Sequence, residues 1–267
     1  MKKMMTALAA FTLVAGVGAC SESADTAATA DAGSIAGEWL INLDSASFEN
    51  DNRDWTLADG QYQCDSCNPP FGFAANGEWQ TVDRPGSDSQ MIEVVDERTV
   101  KFASRLNGED MGSSTLTISE DGNSAVMEWT DLSGDAPVNG KFSMTRTAAG
   151  PEGSHAMSGK WAVADIESMD EAGLRYSVAL DGDMMTNSGN GQSWTAQLGG
   201  EPVAIEGDNA GTMVAGEKTG DNGYRETYSR DGEVLSVAEI TIEGDTLSGK
   251  STDARDGSVV TWTATRQ

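Results

Sequence analysis

Cysteine and histidine are scarce in this chain, and their spacing limits what chemistry they can do. Three Cys and one His occur among 267 residues. Cys64 and Cys67 are separated by Asp65-Ser66 and followed by Asn68-Pro69-Pro70. A redox dithiol needs its first Cys at a helix N-terminus; here a strand-like Tyr62-Gln63 precedes and two prolines follow. Haem attachment needs a His where Asn68 stands, and a zinc site needs two further soft ligands that are not evident. A local disulfide is the reading this context favours, and its short loop suits shaping a turn more than adding bulk stability. His155 lies in a small, polar, aromatic-free stretch, AAGPEGSHAMS, and is expected to be solvated there. That setting suits neither a Ser-His-Asp triad nor a haem ligand. The 43 Asp and Glu offer many carboxylate pairs of the kind glycosidases use, but an acidic, solvated surface explains them more simply. Asp181-Gly182-Asp183 and Glu206-Gly207-Asp208-Asn209 are oxygen-rich, yet lack EF-hand spacing and read as turns. No catalytic residue, metal site or cofactor is assigned, and a non-enzymatic protein is expected.

Indole rings are the remaining candidates. Trp79 follows Asn76-Gly77-Glu78, and Trp194 follows Asn190-Gly191-Gln192-Ser193. Both are candidates for the wall of a ligand pocket, with core packing as the competing role. Met184 and Met185 could add adaptable apolar surface beside Trp194.

The charge bounds the partners. A formal net charge of −26 excludes a nucleic-acid binder, which needs a basic footprint, and disfavours loose attraction to anionic lipid. The N-terminus supplies an address instead. Lys2 and Lys3 precede an apolar run from Met4 to Val17, shorter than the ~20 residues that span a membrane. Val17-Gly18-Ala19-Cys20 resembles a bacterial lipobox, with Val17 in place of the commoner Leu. Residues 1–19 are therefore read as a lipoprotein signal peptide, and 20–35 as a lipidated Cys20 with a flexible tether. Ser21 after the Cys resembles the pattern that directs such proteins to the outer membrane. The expected location is the bacterial cell envelope, with the membrane reached through the lipid anchor.

The positioning elements read as β-strands. Thr99-Val100-Lys101-Phe102-Ala103 alternates cleanly, and SAVMEWT and SVVTWTAT suit strands. Asp-Gly and Asn-Gly pairs punctuate the gaps, at Asp59, Asn76, Asn107, Asp121, Asp181, Asn222, Asp231 and Asp256. Ordered marks recur at a nearly constant offset. Gly37-Glu38-Trp39 matches Gly159-Lys160-Trp161, Asn107-Gly108-Glu109 matches Asp231-Gly232-Glu233, and Thr117-Ile118 matches Thr241-Ile242. Met144-Thr145-Arg146 likewise matches Ala264-Thr265-Arg266. The chain is thus read as a duplication: unit one at 36–147, a linker at 148–158 and unit two at 159–267, each with about eight or nine short antiparallel strands.

A Gly-x-Trp first strand and a late Thr-x-Arg strand resemble the lipocalin-like, or calycin, pattern. The repeat as a whole is similar to units of uncharacterised bacterial envelope lipoproteins. The resemblance implies an all-β fold of two tandem lipocalin-like barrels, each closed by an Arg packed on its Trp. It pairs Trp39 with Arg146 and Trp161 with Arg266. It also implies non-catalytic binding of a small apolar or amphipathic ligand. The alternative is a pair of filled barrels whose surface contacts an envelope protein or glycan.

Overall fold

The computed structural model describes residues 33–67 and 70–267. The expected signal peptide, Cys20 and the expected tether as far as residue 32 lie outside the described residues. The first half forms β1 (Gly37–Glu49), β2 (Asn52–Ala58), β3 (Gln61–Cys64), β4 (Phe71–Ala74) and β5 (Gln80–Arg84). It continues with β6 (Ser87–Val94), β7 (Thr99–Leu106), β8 (Glu109–Ile118), β9 (Ser124–Asp131) and β10 (Val138–Ala149). The second half forms β11 (Gly159–Met169), β12 (Arg175–Asp181), β13 (Met184–Gly189), β14 (Gln192–Gln197) and β15 (Val203–Ala204). Then come β16 (Met213–Lys218), β17 (Gly223–Arg230), β18 (Glu233–Glu243), β19 (Thr246–Asp253) and β20 (Val259–Arg266). Among the described residues the one helical piece is a 3-10 turn at Glu171–Gly173.

Turn chemistry explains the hairpins. At Asp59-Gly60, Asn107-Gly108, Asn190-Gly191 and Asp231-Gly232 both residues have positive φ, the backbone that tight two-residue turns demand and that Asp, Asn and Gly tolerate best. Asn222-Gly223 differs: it leads straight into β17 without a positive φ.

The strands form two ten-stranded antiparallel sheets, each nearly closed into a barrel. Barrel one has the order β4-β3-β2-β11-β10-β9-β8-β7-β6-β5, and barrel two the order β14-β13-β12-β1-β20-β19-β18-β17-β16-β15. The seams come together at the Asn76–Glu93 bridge in barrel one and the Ser193–Glu206 bridge in barrel two. At the second seam Ser193 N–H donates to Glu206 O at 3.1 Å and Glu206 N–H to Ser193 O at 2.8 Å. Near-closure shortens the unpaired edges that would otherwise recruit other chains.

The barrels are not the two halves of the chain. β1 lies between β12 and β20, and β11 lies between β2 and β10. The two Gly-x-Trp strands are therefore exchanged. Barrel one is continuous from β2 to β11, whereas barrel two is completed by the N-terminal strand. This corrects the unit boundaries at 36–147 and 159–267. It also corrects the linker at 148–158, whose latter part is the loop of the β10–β11 hairpin. Loop entropy accounts for the choice: β10 turns back as β11 through a short loop, whereas pairing with β1 would close most of a barrel's length of chain. Barrel two then takes the Gly-x-Trp strand that is left.

That loop is anchored. Met157 and Ser158 are buried, and Leu57 N–H donates to Ser158 Oγ at 2.8 Å. His155 is not a freely solvated residue: its Nε2 is 2.7 Å from Asp96 O, and its N–H donates to Leu57 O at 2.8 Å. Ile35, at the end of the stretch expected as a tether, is buried in the core.

Two crossings join the barrels, at Asn50-Asp51 and at Asp170–Leu174. They are related by an approximate two-fold pattern: Val163 N–H donates to Asp51 O at 3.1 Å, and Ile41 N–H donates to Leu174 O at 3.0 Å. A further contact comes from Asn190, whose Oδ1 accepts from Ala136 N–H at 2.9 Å.

Candidate functional site

Each barrel is closed at one end by the same cradle. Trp39 and Trp161 are fully buried, and their Nε1–H groups donate to Ile35 O and Met157 O at 2.8 and 2.9 Å. Arg266 lies 4.3 Å from the Trp39 ring centroid, and Arg146 lies 4.0 Å from that of Trp161. The pairs are thus Trp39–Arg266 and Trp161–Arg146, the reverse of the partners expected from a simple tandem. The strand exchange is the cause, because Trp39 registers with Arg266 and Arg146 with Trp161. Backbone carbonyls hold each guanidinium: Arg266 donates to Ala36 O and to Ser34 O at 2.8 Å. Arg146 donates to Ser158 O and Ala156 O, each at 2.5 Å. Gly37 and Gly159 are required here. Their φ values are +144° and +132°, and a Cβ on Gly37 would sit 2.6 Å from Arg266 Nη1. These residues seal the barrel ends and offer no free reactive group.

Cys64 and Cys67 form a buried disulfide that ties the turn after β3. Asp65 N–H and Asp54 N–H bond across this turn, to Asp54 O and Ser66 Oγ respectively, each at 3.0 Å.

The interiors differ. In barrel one Tyr62 sits 5.9 Å from Phe102, 6.0 Å from Phe71 and 6.2 Å from Phe73, centroid to centroid. In barrel two a cavity of ≈ 80 Å³ remains. Its apolar walls include Ile41, Leu235, Ile240 and Trp262, and its polar groups include Tyr176, Asn187, Glu226 and Arg230. It runs from Ile35, under the Trp39 seal, toward Arg230 at the far end of β17. A second depression, ≈ 290 Å³, lies over the β1 irregularity at Leu40–Asp44, but it is open and its polar side chains Asn42 and Asp44 face solvent.

β17 builds the polar side of the cavity by period-two alternation, which brings Glu226, Tyr228 and Arg230 to its wall. Glu226 is 3% exposed. Tyr228 O–H donates to Glu226 Oε2 at 2.6 Å, while Glu226 Oε1 and Asn187 Oδ1 are buried and accept no hydrogen bond. Burial pushes the Glu226 carboxyl above the ordinary carboxylate range, outweighing the Tyr228 hydroxyl and the nearby Asn187 side chain, which act the opposite way. Burial, then the neighbouring Glu226, keeps the Tyr176 and Tyr228 hydroxyls protonated far above neutral pH. Arg230 donates through Nη2 to Thr212 Oγ1 at 2.8 Å, and its buried Nε has no partner.

The strand registers show why only barrel two carries this group. Gly159 faces Trp55, which faces Cys64; the matching Gly37 faces Val178, which faces Asn187. Thr99 faces Thr117, and Gly223 faces the matching Thr241. Three residues further along, Phe102 occupies the place of Glu226. Disulfide and phenyl in one barrel thus stand where amide and carboxyl stand in the other.

Trp79 and Trp194 do not line the cavity. Trp79 is 36% exposed on barrel one, with Arg105 3.8 Å over its ring; Trp194 is core in barrel two. The turn at Glu206–Asn209 is held by Asp208 Oδ2, which accepts from Ala210 and Thr212 N–H. Among the described residues no group of three His, Cys, Asp or Glu is placed to hold a metal. Sequence reading missed Glu226. Its signal lay in the alternation of Tyr224, Glu226 and Tyr228, set beside Val100, Phe102 and Ser104 of the other copy.

Neither a protein-family profile nor a curated protein matches the chain.

Proposed function

We propose that the protein is a lipid-anchored envelope protein whose second barrel binds a small amphipathic ligand without catalysis. The first barrel is its packed counterpart. One observation carries the reading: the barrel-two cavity combines apolar walls with buried polar atoms that have no protein partner. Buried polar groups are normally satisfied, and an exception calls for a reason. At ≈ 80 Å³ the cavity falls well below the few hundred Å³ of pockets for drug-sized ligands, so a long acyl chain is not its occupant. Anchoring through Cys20 follows from the lipobox-like residues and would set the barrels off a membrane by the tether.

A second reading concerns barrel one. Val94, Val95 and Trp79 are exposed large side chains on barrel one, and they favour a surface role toward an envelope protein or glycan. Native mass spectrometry of the Ser21–Gln267 fragment exported to the periplasm distinguishes the two. A non-covalent adduct lost on denaturation, and lost in Leu235→Trp, supports the cavity. An adduct that survives this filling of the cavity places binding elsewhere.

A further inference from the structure

Glu226 and Asn187 come from different strands and converge on one cavity, and each presents an oxygen that accepts nothing. Both are more than nine-tenths buried. With Glu226 ionised, both oxygens are acceptors without a donor. Tyr176, Tyr228 and Trp262 line the same space, and aromatic side chains around a carboxyl group are a favourable setting for an organic cation. Arg230 stands at the other end of the wall with an unpartnered Nε–H, a donor suited to an anionic oxygen.

We propose that this cavity binds the ammonium group of a small amine, held by Glu226 Oε1 and Asn187 Oδ1. The inference rests on the reading of barrel two as a ligand-binding module and names the chemistry of its ligand. The Tyr228 hydroxyl already holds Oε2, so it steadies the carboxylate when the cation arrives. Where burial keeps Glu226 protonated, that proton leaves to solvent as the ion pair forms. Tyr176 from β12, Asn187 from β13 and Tyr228 from β17 face the carboxyl; the two tyrosines stay neutral throughout, so the proton released is that of Glu226. The volume limits the enclosed part to a short chain, since a cavity of ~150 Å³ is what encloses benzene. The net charge of −26 draws cations toward the molecule and speeds their encounter. Two sources share this chemistry: a simple amine, and a zwitterion whose carboxylate reaches Arg230.

The test is calorimetric titration of the full-length protein in non-ionic detergent with propylammonium, 4-aminobutyrate, butyrate and 1-butanol. Propylammonium should bind, with heats that differ between buffers of different protonation enthalpy by an amount that reports proton release. Glu226→Gln, nearly isosteric, should weaken it by about tenfold or more and abolish the buffer dependence, while keeping the strand signature in circular dichroism. Tighter binding of 4-aminobutyrate, lost in Arg230→Gln, identifies a zwitterion; equal affinity identifies a simple amine. Binding of butyrate or butanol without propylammonium overturns the ammonium assignment but leaves the cavity as a site. Binding of none of the four, with no adduct in the native mass spectrum, overturns both.

Discussion

Glu226 is an acid in a place that favours its neutral form, and that has a consequence for stability. In the unfolded chain its carboxyl titrates in the ordinary range; in barrel two burial raises it. Between those two pKa values the folded state holds a proton that the unfolded state has lost. Stability therefore falls as pH rises through that window and levels off above the folded value. Glu226→Gln should flatten the melting temperature across the same window and raise it at its upper end. A thermal melt series from pH 4 upward checks this, and an unchanged slope would show that another group sets it. The glycines of the two Gly-x-Trp motifs act by a different route. Gly37→Ala must place a Cβ against Arg266 in a backbone that L-residues avoid, at a cost of about 1–3 kcal/mol. Denaturant unfolding of the variant measures that loss.

At the scale of elements, the exchange of β1 and β11 decides which barrel feels which mutation. Trp39 sits in the first strand of the chain, yet it seals barrel two. Trp39→Ala should destabilise barrel two by about 3–5 kcal/mol, and Trp161→Ala should do the same to barrel one. Hydrogen exchange read separately over β7–β9 and β17–β19 tells the outcomes apart; if Trp39→Ala loosens β7–β9 first, the exchange is wrong. Reduction of Cys64–Cys67 acts on a short loop, so its effect should be small and confined to the β2–β4 region of barrel one.

At the scale of the whole molecule, one barrel is continuous in sequence and the other is not. A fragment covering residues 50–170 contains every strand of barrel one and should fold alone. A fragment covering 159–267 lacks β1, which leaves β12 and β20 as open edges, and it should aggregate or stay unfolded. Adding a peptide of residues 33–49 should restore it. Circular dichroism and size-exclusion chromatography of the three samples decide the matter. The same topology makes Ile35, Ala36 and the strand that follows them part of barrel two's closure with Arg266.

The all-β class, the turns at Asp59-Gly60 and Asn107-Gly108, and the Cys64–Cys67 bond were legible from residues because each depends on a few neighbours along the chain. Alternation and positive-φ pairs are local properties, and the repeat of Gly-x-Trp and Thr-x-Arg marks is visible in one dimension. Partner choice is not. Two similar Gly-x-Trp strands can each fill either gap, so only loop closure across the assembled chain decides that Trp39 meets Arg266 and Trp161 meets Arg146. The candidate site follows the same rule. Glu226 looks like any acid of an acidic chain until β12, β13 and β17 curl into a barrel and set it beside Tyr176, Asn187 and Tyr228, away from water. Its neighbours come from strands distant in sequence, and burial, which sets its chemistry, is a property of the closed barrel alone.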